Sequence, residues 1–326
     1  MQIGMKIAPS GRARNDVDDL LEQARRATAA GFAALWAPQG FSYDALTALA
    51  VLARDPGVAG VELGVTVVTA QSRHAITTAS QARTLQAASG GRAVLGIGAS
   101  HAGFSERFGV PFDRPAAYVE EYLDALLPLL RDEEVRVRGE RVTACTAGVS
   151  TAVAGAERPV PVLLGALGPR MLRLAGGRAD GTVTFMAGPR TIGGHIAPAV
   201  TAAAHAAGRP APRVLVGVNV SLTGEPDRVR AEVDAELSWV ADLPSYRRLL
   251  DLEGAGSPGE ITVAGDERAV RRGIRRLAEA GATGLNVTPV GTPAEVGRTI
   301  ELLGALAGEL GGPVAGGADV GGAAEG

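Results

Sequence analysis

Cysteine is all but missing from this chain of 326 residues. The single Cys145 excludes internal disulfides and any multi-cysteine metal site, which fits a reducing cytoplasm. A catalytic thiol survives that count, yet Cys145 stands in RVTACTAGV, which alternates like an ordinary strand and favours a structural role. A basic excess is missing too. Asp and Glu number 35 against 32 Lys and Arg, a formal net charge of −3, so there is no positive field for nucleic acid. Lysines are few beside abundant alanine, arginine and glycine, a bias of GC-rich genomes that says nothing about function. The histidines, His74, His101, His195 and His205, include no pair at metal-ligand spacing, and no P-loop is present. No apolar run reaches the roughly 20 residues of a membrane span, and MQIGMKIAPS lacks the apolar core and cleavage signal of a secretory leader. A soluble cytoplasmic protein without nucleic-acid, membrane or metal partners is expected.

What is present is a regular alternation. With 46% hydrophobic and 21% charged residues, the chain can bury a large core. Strand-like segments at about 2–7, 32–37, 61–68, 92–98, 161–165, 181–185, 214–221 and 284–288 are each followed by a helix-patterned stretch. Glycines at 31 and 90 and the AEAGATG run mark helix ends. The predicted fold class is α/β, a (β/α)8 TIM barrel with insertions, with a doubly wound open sheet as the alternative. Residues 1–311 read as one domain, and the glycine-rich tail, 312–326, reads as disordered. Residues 133–150 alternate at period two around Gly139, which predicts a β-hairpin between the fourth helix and the fifth strand. Residues 242–264 predict a short helix and loop near the seventh strand, and long insertions on a barrel commonly serve as lids or contact surfaces.

The most informative segment is PVLLGALGPRMLRLAGGRADGTVTF, residues 161–185. Val162–Leu164 is a short apolar run of the kind buried in a parallel strand. Gly165 and Gly168 leave a turn free of bulky side chains, and Pro169 suits the first position of a helix. A helix starting there, past the carboxyl end of a strand, aims unpaired N–H groups and about half a positive charge at whatever lies in front of it, a seat suited to phosphate. On this segment alone, glycine and proline serving only as punctuation explains the pattern as well.

Other motifs are weaker. GIGASHAG, residues 96–103, has His101 where a dinucleotide fingerprint needs glycine. Gly98-x-Ser100-x-Ala102 falls one glycine short of a hydrolase nucleophile elbow, which keeps a serine hydrolase as a minor reading. His195 and His205 lie in an alanine-rich helical region and read as surface or packing residues. His101 differs, because it follows the fourth strand, at the end of a barrel where active-site groups gather, although a turn-capping role fits it equally.

The blocks WAPQGFSYDALTALAVLARDPGVAGVELGVTVVTAQSRHAITTASQARTLQAASGGRAVLGIGASH, FDRPAAYVEEYLDALLPLL, LLGALGPRMLRLAGGRADGTV and AGRPAPRV, in this order, resemble the luciferase-like monooxygenase superfamily, and within it the branch that uses the deazaflavin coenzyme F420. The resemblance spans residues 1 to about 310. It implies a TIM barrel that binds a flavin-like cofactor at its carboxyl face, commonly as a homodimer. Carried over residue by residue, it puts a non-prolyl cis peptide behind the ring at Thr66 and Val67. It places Gly98, Ala99, Ser100 and His101 beside the cofactor's side chain and phosphate. Ala166, Leu167, Gly168, Pro169 and Arg170 fall at the phosphate-facing turn, and Pro38 and Gln39 beside the ring. The chain departs from the branch's sugar-phosphate dehydrogenases, which have an acidic residue and a histidine after the second strand and a glutamate after the fourth, where this sequence has Pro38, Gln39 and His101. An amide cannot exchange protons near neutral pH, so glucose-6-phosphate oxidation is not expected. The chemistry the resemblance implies is hydride transfer between F420 and an unidentified small organic substrate, with His101 as proton donor and Gln39 positioning the ring. The alternatives are an FMN-dependent monooxygenase and a non-catalytic deazaflavin-binding barrel.

Overall fold

The computed structural model describes residues 1–310; the tail expected to be disordered lies outside the described residues. The strands are β1 (Gln2–Lys6), β2 (Ala34–Ala37), β3 (Glu62–Thr69), β4 (Ala93–Gly98), β5 (Arg136–Arg138), β6 (Thr143–Cys145), β7 (Val162–Gly165), β8 (Gly181–Phe185), β9 (Arg213–Leu222), β10 (Val263–Gly265) and β11 (Gly284–Pro289). The helices are α1 (Asp16–Ala30), α2 (Ala45–Leu52), α3 (Ala75–Ala88), α4 (Ala102–Arg107), α5 (Pro115–Leu130), α6 (Pro169–Gly177), α7 (Pro189–Thr191), α8 (Ala197–Ala206), α9 (Pro226–Ala241), α10 (Pro244–Glu253), α11 (Glu267–Glu279) and α12 (Pro293–Leu310). A π-helical turn, Ile192–Ile196, joins α7 to α8.

The main sheet runs β10-β9-β11-β1-β2-β3-β4-β7-β8, and β8 pairs in turn with β9. That last pairing, Gly181 with Arg213 through Phe185 with Gly217, closes the ring. Since β10 only flanks the end of β9, the closed barrel has eight strands, all parallel, and the open doubly wound alternative is excluded. Every predicted barrel strand is found. The hairpin is found as well: β5 and β6 pair antiparallel, with Ala144 buried and Cys145 exposed, in a separate small sheet. The segment 242–264 forms α10, a 3-10 turn and the start of β10.

Alternation along each strand sorts two cores. Ile3, Met5, Leu35, Val65, Ile97 and Val216 point outward to the helices, where Leu20, Leu49 and Leu126 meet them. Ala34, Trp36, Val94, Leu163, Val183 and Leu215 fill the barrel interior. Trp36 takes its place because Gly4 and Gly64 carry no side chain: a Cβ would lie 2.4 Å from the indole Nε1 at Gly4 and 2.0 Å from its Cζ3 at Gly64. Below the indole, at the amino end, Arg213 donates to both carboxylate oxygens of Glu62 (2.7 and 3.0 Å) and to Gln2 Oε1 (3.2 Å). The floor is thus plugged, and the free interior lies toward the carboxyl ends.

The carboxyl rim is braced by Glu295, a buried residue of α12. Its carboxylate accepts from the Thr223 hydroxyl (2.5 Å), from Arg228 Nη2 (2.6 and 2.7 Å), and from the amide and hydroxyl of Thr292 (2.8 and 2.9 Å). The Thr223 hydrogen bond first, then Arg228, hold its pKa at about 2 against the ordinary 4.5. A depressed carboxylate stabilises the fold above its unfolded value and loses that contribution as pH falls toward the folded one. Glu295→Gln is therefore expected to cost about 2 to 3 kcal/mol near neutral pH, and the penalty to shrink between pH 4.5 and 2, as read by urea unfolding at stepped pH.

Candidate active site

The carboxyl mouth is shaped by missing side chains. Gly96 and Gly98 on β4, Gly165 on β7 and Gly217 on β9 share the inward face of Val94, Leu163 and Leu215. Val67 of β3 leans into the space they leave: a Cβ would lie 3.0 Å from its Cγ1 at Gly96, 2.6 Å from its Cγ2 at Gly98 and 3.6 Å from it at Gly165. The β3–β4 register breaks between Val65 and Val68, and the Thr66–Val67 peptide is cis. Sequence resemblance pointed to this bulge; nothing in the residue pattern alone did. Asn286 of β11 donates to Thr66 Oγ1 (3.4 Å), while its own Oδ1 is buried with no protein donor. Lys6, Thr66, Val67, Phe185, Asn219 and Thr288 are only partly buried although all but the bulge residues sit on regular barrel strands, so solvent reaches the interior at this end.

The turn before α6 is pinned by its carbonyls. His195, in the π-helical turn, donates from Nε2 to the Leu167 carbonyl at 2.9 Å, and Thr182 Oγ1 donates to the Leu164 carbonyl at 2.9 Å. Gly168 caps α6 without a side-chain bond, and the amides of Gly168, Arg170 and Met171 have no acceptor among the described residues. The turn thus faces the protein with its acceptors and leaves its donors free. Ala166 is buried, Leu167 and Gly168 are half-buried, and Pro169 and Arg170 are exposed. Arg170 spends its guanidinium on Glu120 of α5 (2.8 Å), so only its amide is available at the turn. His195, read from sequence as a surface or packing residue, braces this turn through a helix distortion that carries no clear sequence signal.

The fourth-strand loop holds Ala99 and Ser100, with Ser100 in the left-handed region (φ 63°). No hydrogen bond joins Ser100 to a histidine among the described residues, so the nucleophile arrangement of a hydrolase is not formed. His101 starts α4 without capping it. Its ring packs against Phe104 (6.0 Å) and Tyr246 of α10 (5.4 Å), and burial pushes its pKa below the ordinary 6.5. Gln39 is saturated: it donates to the carbonyls of Gly40 and Tyr43 (2.8 Å each) and accepts from the Ala45 amide and Arg73 (3.0 Å each). All four hydrogen-bonding positions of the amide are taken by protein groups, three on the second-strand loop and the start of α2 and one on Arg73 after β3, leaving none for a ring. Tyr43 adds a bond to the Pro38 carbonyl (2.7 Å).

Aromatic rings bridge across the mouth. Phe41 of that loop meets Phe104 (5.3 Å) and Phe108 (5.4 Å), Phe104 meets Trp239 of α9 (6.1 Å), and Tyr246 meets Phe185 (6.1 Å). Phe41 and Trp239 remain 59% and 54% exposed, so this is a rim collar rather than a packed core. The insertion at 242–264 supplies Tyr246 and so does cover the mouth. A cavity of about 750 Å³ lies elsewhere, between Arg190, Ile261 and Leu277 on the outer side of β9. It borders Val218, which points away from the interior that Gly217 and Asn219 line, and holds none of the residues singled out from sequence.

The model of the luciferase-like monooxygenase family matches residues 1–308. This chain belongs to that family. Within it, the chain is 25% identical over 309 residues to the 5,10-methylenetetrahydromethanopterin reductase of Methanolobus tindarius, covering 93% of this chain and 91% of the relative. The coenzyme F420 dependent tetrahydromethanopterin reductase from Methanopyrus kandleri superposes with a TM-score of 0.77 at 22% identity, over 93% of this chain and 97% of that one. The oxygenating constituent of 3,6-diketocamphane monooxygenase from Pseudomonas putida, in complex with FMN, gives a TM-score of 0.73 at 18% identity, over 93% and 96%. At such identities the two solved structures establish the family's barrel for this chain.

Proposed function

We propose that this luciferase-like barrel is an oxidoreductase that transfers a hydride between coenzyme F420 and a small organic substrate. The observation that carries the reading is the pairing of a glycine-walled slot, with Val67 at its back, with a turn of unpartnered amides at Gly168, Arg170 and Met171. A flat ring fits the first and a phosphate the second. The reductase relatives favour the deazaflavin. When bound, the deazaflavin supplies the carbon that gives or takes the hydride.

The chain's own residues would then act as follows. Thr66, Val67, Gly98, Ala99 and Ser100 back and edge the ring, and the turn from Ala166 to Arg170 holds the phosphate, through the main-chain N–H groups of Gly168, Arg170 and Met171. Gln39 works at one remove, by fixing the loop that carries Phe41. His101 is the proton donor; its ring nitrogens have no hydrogen-bond partner among the described residues, and burial, by pushing its pKa below the ordinary 6.5, makes its cationic form a stronger acid. The collar of Phe41, Phe104, Trp239 and Tyr246 excludes water and favours an apolar or neutral substrate. A cytoplasmic homodimer is the expected form.

The test is to mix reduced F420 with ketones, enones and imines and to follow the return of deazaflavin absorbance. Oxidation by any of them supports the reading; binding without oxidation by any acceptor leaves a carrier barrel instead. The FMN-bound neighbour keeps one second reading: preference for FMN, with oxygen consumed, identifies a monooxygenase.

A further inference from the structure

The chain contains one lysine, Lys6. It ends β1, and the alternation that sends Ile3 and Met5 to the outer core puts Gln2, Gly4 and Lys6 on the inner face. The contact of Gly4 with the Trp36 indole fixes that assignment. Lys6 is therefore the next inward residue toward the mouth, on the strand between β2 and β11.

The only other charged residues on the barrel strands are Glu62 and Arg213, which neutralise each other at the amino end. Lys6 has no ion pair and no hydrogen bond among the described residues. The charge that acts on it is the carboxylate of Glu236, on the exposed side of α9, and burial outweighs it, pushing the amine below its ordinary 10.5. An inward cation with no partner is costly unless a ligand completes it. Histidine and the neutral rim residues offer no substitute for its charge.

We propose that Lys6 is a ligand-contacting residue of the redox site, its ammonium taking the electron-rich carbonyl edge of the tricyclic ring seated against Val67 and Gly98. This rests on the cofactor reading given above. The shared chemistry is an anionic or carbonyl oxygen, and a ring whose hydroxyl ionises gains most from the contact.

Because the lysine is unique, amine chemistry reports on it alone, with the Met1 amine as internal reference. Native protein is treated with trinitrobenzenesulfonate with and without saturating F420, and modification is read by peptide mass spectrometry. F420 is expected to slow Lys6 modification about tenfold and to leave Met1 unchanged. Lys6→Met is expected to weaken F420 binding about tenfold, or about 1.4 kcal/mol. It should also raise the apparent pKa of the bound ring, followed by absorbance, by about one unit, with Lys6→Arg restoring most of both. A merely structural lysine would not move the ring's titration. F420 binding with undiminished Lys6 labelling and an unshifted ring overturns this assignment alone. Failure of the native chain to bind either F420 or FMN overturns the proposed function and this contact together.

Discussion

Gly168→Asp is expected to leave the protein as stable as the native chain, or more so, and to weaken cofactor binding about a hundredfold. Gly168 caps α6 with φ −92° and ψ 160°, an ordinary extended geometry, and a Cβ there meets nothing within 4 Å. An aspartate can adopt that backbone, accept from the free amides of Arg170 and Met171, and place a negative charge at the positive end of the helix. Capping and dipole terms favour the fold by a few tenths to about 1 kcal/mol. The same carboxylate occupies the donors that a phosphate would use and repels its charge, with a loss of about 3 kcal/mol, typical for displaced charge-assisted bonds. Gly168→Ala has the same space and no charge, and should bind as the native chain does. Thermal melts and fluorescence titration measure the two signs separately. A carboxylate at this position that leaves cofactor affinity intact would place the phosphate elsewhere.

Gly96→Ala is expected to damage both the fold and the site. The added Cβ would lie 2.2 Å from the Val65 carbonyl oxygen and 3.0 Å from Val67 Cγ1. The first neighbour is backbone and cannot rotate away, so the β3 bulge itself must move. Overpacking of this kind costs about 3 kcal/mol, and displacement of the ring's backing by about 1 Å costs about a hundredfold in turnover. Gly98→Ala meets only the Val67 side chain, at 2.6 Å, and is expected to cost less stability while still closing the slot. Urea unfolding gives the order Gly96→Ala below Gly98→Ala below native; equal stabilities would mean that β4 does not set the position of the bulge.

These outcomes separate what the residues reveal locally from what only the closed barrel reveals. The strands could be read because Val162–Leu164, Val214–Val220 and their counterparts are short apolar runs bounded by helix stops, and their periodicity needs no distant partner. The α6 start was legible for the same reason, since glycine and proline at 168 and 169 act within one turn. The inward placement of Lys6 was not legible: which face of β1 points inward follows from the contact between Gly4 and Trp36 of the neighbouring strand, 32 residues away in the sequence. The collar was equally hidden. Phe41, Phe104, Trp239 and Tyr246 come from four separate segments, and only the folding of the loops over one mouth brings the first three into one chain of contacts about 6 Å apart and Tyr246 to His101, which in turn meets Phe104. Gln39 shows another limit: resemblance singled it out as a ring-side residue, while its hydrogen bonds are all taken by protein groups, three near its own loop and one from Arg73.

The most direct measurement is a side-by-side titration of the purified native chain with coenzyme F420 and with FMN, read by fluorescence. Saturable binding of F420 at one molecule per chain, with an affinity in the micromolar range and FMN weaker, is the expected result. Binding of neither would contradict a ring seated at this mouth and the hydride chemistry built upon it.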